Sequence, residues 1–386
     1  MNSIAINNKM INTRGEMLWV LAAGVGCLIG LAGLASYLLQ GHDAYNIYRQ
    51  VPWGILISTY VYFAVCCTGL CLVSSLGHVF GFKPFAGIGK RAIAMAIIAL
   101  LSGFVAIGLE LGRPLALIYN LLSPNLAAPI WWMGTLYSIY LAVLVVEFFL
   151  MIKGHHRYVG YASLAGFIGG VAANSNLGSV FGFLDARVWW HGPYLPISII
   201  LTAAISGCAI TILLFAHRYA REKIPADIER AMTITAQLFT MLLGILIFFH
   251  FWMVLTSVYG QVPGKRDAMM IMINGPLALS YWGFEVILGM LLPFALLLLS
   301  KGKSLNMAVA AAVSTLIGFF FLRYNSVVAG QLVPLRAEVE AVGADGLLRY
   351  APSLTELAIV VGCFGLCFAL YFAANRIFDL DDQGHH

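Results

Sequence analysis

The chain has 386 residues, of which 61% are hydrophobic and only 10% are charged. A soluble domain carries about 25% charged residues, so this composition excludes a soluble globular protein and indicates a polytopic membrane protein. The net charge of +5 is spread over loops, and no basic block interleaved with aromatic residues is present in the sequence, which argues against nucleic-acid binding.

Apolar stretches long enough to cross a bilayer, which takes about 20 residues per helix, follow one another along the chain. We predict an all-α membrane protein of about ten transmembrane helices, arranged as pairs of four-helix bundles in a single integral membrane domain over residues 1–386. The core bundle is expected at about 52–300, with additional spans at 17–39, 305–322 and 354–374. The predicted spans are Met17–Leu39, Gly54–Val79, Ala92–Leu111, Ile130–Ile152, Tyr158–Val180, Leu195–Ala216, Met232–Val258, Leu277–Leu299, Leu305–Leu322 and Leu354–Ala374.

Orientation follows from Lys and Arg, which favour cytoplasmic loops. The side that carries both termini has 14 of these residues and the opposite side has 8, so both termini are expected in the cytoplasm. All seven cysteines lie inside predicted spans, where they serve as small apolar packing residues. Because iron–sulfur ligands are closely spaced thiolates, we expect no cluster in this chain.

Aromatic and polar residues crowd the side opposite the termini. Seven of the eight tryptophans lie there, and only Trp19 does not. An aromatic belt explains part of this pattern, but a belt populates both interfaces. The excess indicates either a docking surface for a partner or a pocket for a flat amphipathic ligand. A quinone needs such a pocket, with hydrogen-bond partners for two carbonyls and a titratable group that exchanges protons.

Four ionisable residues on this side are the predicted catalytic groups. Glu110 and Arg113 are three residues apart on one helix face, and they form either a proton-handling pair or a structural pair that closes a helix. Glu285 lies about two turns inside a span, where a lone carboxylate indicates function unless it only bonds a neighbouring helix. His250 is the deepest histidine and is a candidate quinone ligand, proton donor, haem ligand or structural residue.

Glu147 is the one deep acid on the cytoplasmic side. With Glu285 it would form a proton path, and the alternative is that it extends towards Lys153 at the interface. No metal site is predicted.

The remaining candidates are aromatic and polar residues of the same crowded side. Asn174 suits quinone hydrogen bonding, although helix capping also explains it. Arg323 suits an acidic partner surface or an ion pair with Glu356, and a purely interfacial position is the alternative. The predicted quinone-binding residues are Trp53, Tyr60, Trp132, Asn174 and His191, and the predicted docking residues are Trp189, Trp190 and Arg323.

Short motifs follow one another along the chain and carry a family resemblance as a set. They are Pro52-Trp53-Gly54, Glu110-Leu111-Gly112-Arg113-Pro114, Ala128-Pro129-Ile130-Trp131-Trp132, Arg187-Val188-Trp189-Trp190-His191-Gly192-Pro193, Arg323-Tyr324-Asn325 with Gly330-Gln331, and Tyr350-Ala351-Pro352-Ser353-Leu354-Thr355-Glu356. Over nearly the whole chain, this set resembles the NrfD-like, or polysulfide-reductase-type, integral membrane subunits. The set is similar to that of the ten-span members of sulfite-reduction-associated menaquinol complexes and of uptake hydrogenases. One departure is Glu110, where family members often carry Asp.

The resemblance implies a haem-free, quinone-reactive subunit of a respiratory oxidoreductase in the cytoplasmic (inner) membrane of a bacterium or archaeon. Menaquinone or ubiquinone would be its substrate, near the periplasmic face, and proton translocation would be an added capacity. Expected partners are a ferredoxin-like iron–sulfur subunit, further catalytic or multihaem cytochrome subunits, and membrane lipid.

Two other classes stay open. A secondary transporter has broken helices and polar sites near the midplane, whereas the polar groups here crowd one interface. A haem-b anchor would be distinguished by the visible absorption spectrum of the purified chain.

Overall fold

A computed structural model describes residues 14–112, 117–220, 222–335 and 346–380. Helices account for most of these ranges, and a π-helical segment, Leu279–Leu291, leads directly into α10. The helices are α1 (Arg14–Gln40), α2 (Ile55–His78), α3 (Gly89–Glu110), α4 (Leu117–Leu122), α5 (Pro129–Ile152), α6 (His156–Gly182), α7 (Tyr194–Arg218), α8 (Ala226–Tyr259), α9 (Lys265–Ile273), α10 (Leu292–Ser300), α11 (Leu305–Leu332) and α12 (Leu354–Ile377).

Nine helices in the described part of the chain are long and apolar enough to cross a membrane. This confirms the prediction of an all-α, multi-pass membrane protein with about ten spans. The tenth predicted span is α6, which is 27 residues long but less apolar than the others. It carries Asn174-Ser175-Asn176 and several glycines, and it packs between α5 and α7.

The long helices alternate in direction, so the bundle has two ends. We call the end where α2 begins and α3 finishes the Glu110 end, and the end where α5 finishes the Lys153 end. α2 is the most deeply buried span and packs against α3, α6, α7 and α11. α7 joins the group formed by α2, α3, α5 and α6 to the group formed by α8, the π-helical segment, α10 and α11.

α11 differs from the prediction in both length and position. It runs ten residues beyond Leu322 and finishes at Leu332. Arg323, Asn325 and Gln331 therefore lie inside the helix, and all three are buried. The helix continues past these polar residues because their side chains find partners in neighbouring helices. α11, predicted as an additional span, packs within the core against α7, α2 and the π-helical segment.

The first and last helices form a separate pair at the edge of the bundle. α1 packs along α12, and α12 packs in turn against α3 and α2. The two backbones touch at Gly30 and Gly362, where a Cβ atom added to either glycine would meet the Cα atom of the other. Small residues allow this close approach, which is a common basis of helix association in membranes.

Gly30→Leu is expected to separate α1 from α12, because the new side chain has no space at the contact. The cost of such overpacking is about 1–3 kcal/mol. Thermal unfolding of the purified protein in mild detergent measures the effect. Gly24→Leu, on the same helix with nothing within 4 Å of its added Cβ, is the matched control. Equal unfolding temperatures for the two variants would contradict the packing role of Gly30.

Candidate functional site

The start of α2 is held by acceptors from other elements. The first backbone N–H groups of a helix have no partner within the helix. The Gly54 N–H donates to Glu110 Oε1 at 3.0 Å, and the Ile55 N–H donates to the Tyr350 hydroxyl at 2.8 Å. Tyr350 donates to Glu356 Oε1 at 2.6 Å. Two buried carboxylates thus lie at the positive end of the α2 dipole, which favours negative charge.

Gln331 and Arg187 complete this assembly. The Gln331 side chain makes two hydrogen bonds to the backbone of Trp53, at 3.0 and 2.8 Å. Arg187 lies outside the spans, and partial burial lowers the pKa of its guanidinium. That guanidinium donates at 2.9–3.3 Å to the backbone carbonyls of Gln50, Gly330, Gln331 and Val333. A positive charge therefore closes the C-terminal end of α11, where a cation is favoured.

A second buried polar cluster lies between α7, α8, α11 and the π-helical segment. His250 Nε2 is 2.9 Å from the Tyr281 hydroxyl and 4.0 Å from Glu285 Oε1, and its Nδ1 is 3.3 Å from the Tyr194 hydroxyl. Asn325 donates to Glu285 Oε2 at 2.7 Å. His250 and Glu285 are both buried. The cluster thus joins a carboxylate, an imidazole and two phenols into one connected network.

Arg323 adds a buried positive charge near this network. It lies two residues before Asn325 on α11, donates to the Thr202 hydroxyl, and is close enough to Glu285 for an electrostatic interaction. Glu285 itself lies in the π-helical segment. Such wide turns occur frequently at functional sites.

A cavity of about 310 Å³ lies between α7 and α8 beside this cluster. Tyr194 lines the cavity and also contacts His250, so its hydroxyl links the cavity to the buried network. Phe249 and Trp252 line the cavity and are partly exposed on the outer surface of the bundle. The remaining lining residues are His191, Pro193, Ile197, Ser198, Leu201, Met253, Thr256 and Lys265.

This cavity has the character of a small-molecule site. Such sites are mostly apolar, have volumes of about 300–1,000 Å³, and carry a few polar groups that orient the ligand. Its aromatic side faces lipid, and its polar wall leads to Tyr194 and His250. A flat ligand could therefore enter from the bilayer and reach a buried acid–base network.

The sequence comparisons agree with this architecture. The family model for polysulphide reductase, NrfD, matches residues 43–335, which extend from the segment before α2 to the end of α11. The chain belongs to the NrfD family. A selenate reductase subunit of Mesobacillus selenatarsenatis is 23% identical over 385 residues, and the match covers 89% of each chain. The Hdr-like menaquinol oxidoreductase integral membrane subunit of Archaeoglobus fulgidus is 24% identical over 368 residues, and that match covers 90% of each chain.

Within this NrfD-family fold, the predicted catalytic residues lie in two places, the second buried polar cluster and the start of α2. His250 and Glu285 meet in the second cluster, and the predicted ligand residue His191 lines the adjacent cavity. Glu110 lies instead at the start of α2, where it accepts a backbone hydrogen bond. Arg113, its predicted partner, lies outside the described residues.

The other predicted quinone-binding residues do not line the cavity. Trp53 stacks on Trp190, with ring centroids 5.1 Å apart. Tyr60 is buried against Tyr137, and Tyr137 donates to Asn174 at 3.1 Å. Trp132 is partly exposed and donates to the Leu126 carbonyl. In the structure, these side chains take part in ring packing, in hydrogen bonds between helices and in interfacial contacts.

The predicted docking residues are less exposed than a docking surface requires. Trp190 is 3% exposed and donates to the Ser326 carbonyl at 2.7 Å. Arg323 is 2% exposed within α11. Neither side chain can meet a partner in this fold, because the bundle closes over both of them. Trp189 is half-buried and lies near the Glu110 end.

The structure also brings into the two clusters residues that were not among the predicted site residues. Tyr194, Tyr281 and Asn325 belong to the second cluster, and Tyr350 and Glu356 belong to the first. Tyr281 lies one helical turn before Glu285, so this spacing could have indicated from the sequence that the two side chains share a helix face. The partners Tyr194 and Asn325 come from distant helices, and no short-range pattern indicates them.

Glu110→Leu is expected to lower the free energy of unfolding by about 1–3 kcal/mol, because the buried Gly54 N–H loses its acceptor. Glu110→Gln keeps an acceptor oxygen of the same reach and should stay within about 1 kcal/mol of the wild type. Thermal unfolding in mild detergent compares the two variants. If the Leu variant were as stable as the Gln variant, the hydrogen bond at the start of α2 would have no structural role.

Proposed function

We propose that this chain is the quinone-reactive membrane subunit of a multi-subunit respiratory oxidoreductase, and that the quinone head group binds in the cavity between α7 and α8. The contact of Tyr194 with both the cavity and His250 carries this proposal. The names of the two relatives, a menaquinol oxidoreductase subunit and a selenate reductase subunit, favour the same class.

The quinone is a substrate that enters from the bilayer past Phe249 and Trp252. Oxidation of its quinol form releases two electrons and two protons. Tyr194 would hydrogen-bond a quinone oxygen and orient it. His250 would receive the two protons one after the other through the Tyr194 hydroxyl, and Tyr281 and Glu285 lie at its other ring nitrogen to take each proton onward. A positioned acid–base group typically contributes 10²–10⁴-fold to the rate.

The electrons would leave to an iron–sulfur partner at the Glu110 end. With both termini in the cytoplasm, that end faces the periplasm, and the cavity lies nearer to it than to the Lys153 end. Polar side chains lie at this end of the bundle. His191 Nδ1 is 2.9 Å from Asp185 Oδ1 in an exposed pair, and Lys265 lies at the same end. Further catalytic or multihaem cytochrome subunits would complete the complex.

A path for protons towards the Lys153 end is a further part of the proposal. Arg323 contacts Thr202, and the Ile199 carbonyl one turn earlier accepts from Asn174, which accepts from Tyr137. Glu147 lies ten residues farther along α5, about 15 Å away. It is buried and accepts from Ser163 at 2.5 Å. Protons would cross this interval through internal water.

Tyr194→Phe and His250→Gln are expected to lower the rate of quinol oxidation by the purified complex roughly a hundredfold, because each interrupts proton transfer from the cavity. Tyr259→Phe is the control, since Tyr259 is exposed at the end of α8 and does not line the cavity. Oxidation of a water-soluble menaquinol analogue with an artificial electron acceptor is the measurement. Wild-type rates in both cavity variants would rule out this position for the quinone.

Glu147→Gln is expected to reduce proton transfer across the membrane while quinol oxidation continues, because the acid lies far from the cavity. The complex is reconstituted in vesicles, and a pH-sensitive dye reports protons moved per quinol oxidised. Glu222→Gln is the control at the same end, where Glu222 is exposed and paired with Arg218. Unchanged proton transfer in the Glu147 variant would remove this residue from the path.

A further inference from the structure

A cleft of about 740 Å³ lies between α11 and α12, apart from the proposed quinone cavity. Both helices pack on α2 but scarcely touch each other, so a gap runs between them. Val313, Ile317 and Phe368 line the gap and are partly exposed to the lipid phase. The cleft therefore opens sideways into the bilayer.

Aromatic rings close the cleft near the middle of the membrane. Phe320 of α11 and Phe364 of α12 have ring centroids 5.9 Å apart, and Tyr62 of α2 lies 5.7 Å from each. From this closure the cleft continues towards the Lys153 end, where Tyr371 and His217 line it. From the aromatic closure to the membrane surface, the cleft is thus about as long as one leaflet is thick, and most of its walls are apolar.

The end of the cleft at the membrane surface is basic. Arg91 is buried there and donates to the Tyr371 hydroxyl at 2.8 Å. Arg376 follows one turn after the lining residue Phe372, and Arg218, which pairs with the exposed Glu222, follows His217. In the described part of the chain, basic side chains outnumber acidic ones at this end. Basic pockets between helices on the cytoplasmic side attract anionic lipid head groups.

The lining of the cleft indicates what kind of molecule fits it. Its walls are almost entirely apolar and aromatic, and they open to the lipid phase, so they suit a hydrocarbon chain. Its walls offer too few polar groups for a column of water, since a buried water needs two to four polar partners.

We propose that the cleft binds an acyl chain of an anionic phospholipid, with the phosphate at the basic rim of the Lys153 end. The acyl chain would contact the aromatic walls of α11 and α12 and fill the gap between these two helices. The site is separate from the quinone cavity, which lies between α7 and α8 nearer the opposite end.

Photochemical cross-linking in the bilayer tests this site. The complex is reconstituted in phosphatidylcholine vesicles that contain a small fraction of phosphatidylglycerol with a diazirine on its acyl chain. Cross-linked peptides are then mapped by mass spectrometry. We expect labels on α11 and α12 at the cleft. Val313→Trp should lower this labelling about tenfold, equivalent to about 1.4 kcal/mol of lipid affinity, because the indole blocks the opening.

Val361→Trp is the matched control, because Val361 has nearly the same exposure as Val313, at 43% and 44%, but does not line the cleft. Labelling in this variant should equal that of the wild type. The proposal fails if the cleft is not labelled, if both Trp variants lose labelling equally, or if diazirine-labelled phosphatidylcholine labels it equally. It also fails if added menaquinone displaces the label, since the cleft would then bind a prenyl chain.

Discussion

Polar and charged side chains within the membrane region must find their partners inside the protein, because the hydrocarbon of the bilayer offers none. This constraint explains why α11 lies in the core. Its Arg323, Asn325 and Gln331 make hydrogen bonds to α7, to the π-helical segment and to the segment before α2. The two groups of helices are thereby joined through polar contacts that hold α7 and α2 against α11.

The two buried assemblies have different characters. At the start of α2, carboxylate, amide and phenol groups accept hydrogen bonds from backbone N–H groups, and these bonds hold the end of the helix in place. Around His250, the titratable side chains bond mainly one another and reach a cavity through Tyr194. A set of ionisable groups beside a pocket is typical of an active site. For this reason our proposal assigns the chemistry to His250 and Glu285 rather than to Glu110.

Much of the fold could be predicted from the sequence, because a helix needs an apolar stretch of about 20 residues to cross the bilayer and such stretches are easily recognised. The predicted end of α11 near Arg323 is wrong, since an arginine after an apolar run resembles a helix end at the interface. His250 and Glu285 stand out in the sequence as deep ionisable residues. Their partners Tyr194 and Asn325 do not, because their contacts depend on how distant helices pack. The assignment of Trp190 and Arg323 to a surface is wrong for the same reason.

The central claim is that a quinone binds between α7 and α8, next to Tyr194 and His250. A cryo-EM map of the intact complex, prepared with a saturating naphthoquinone inhibitor, tests it most directly. We predict density for the flat ring between Tyr194 and Trp252, within hydrogen-bonding distance of the Tyr194 hydroxyl. Density beside Glu110 at the start of α2, with an empty space between α7 and α8, would contradict the claim. That result would favour Glu110 as the catalytic residue.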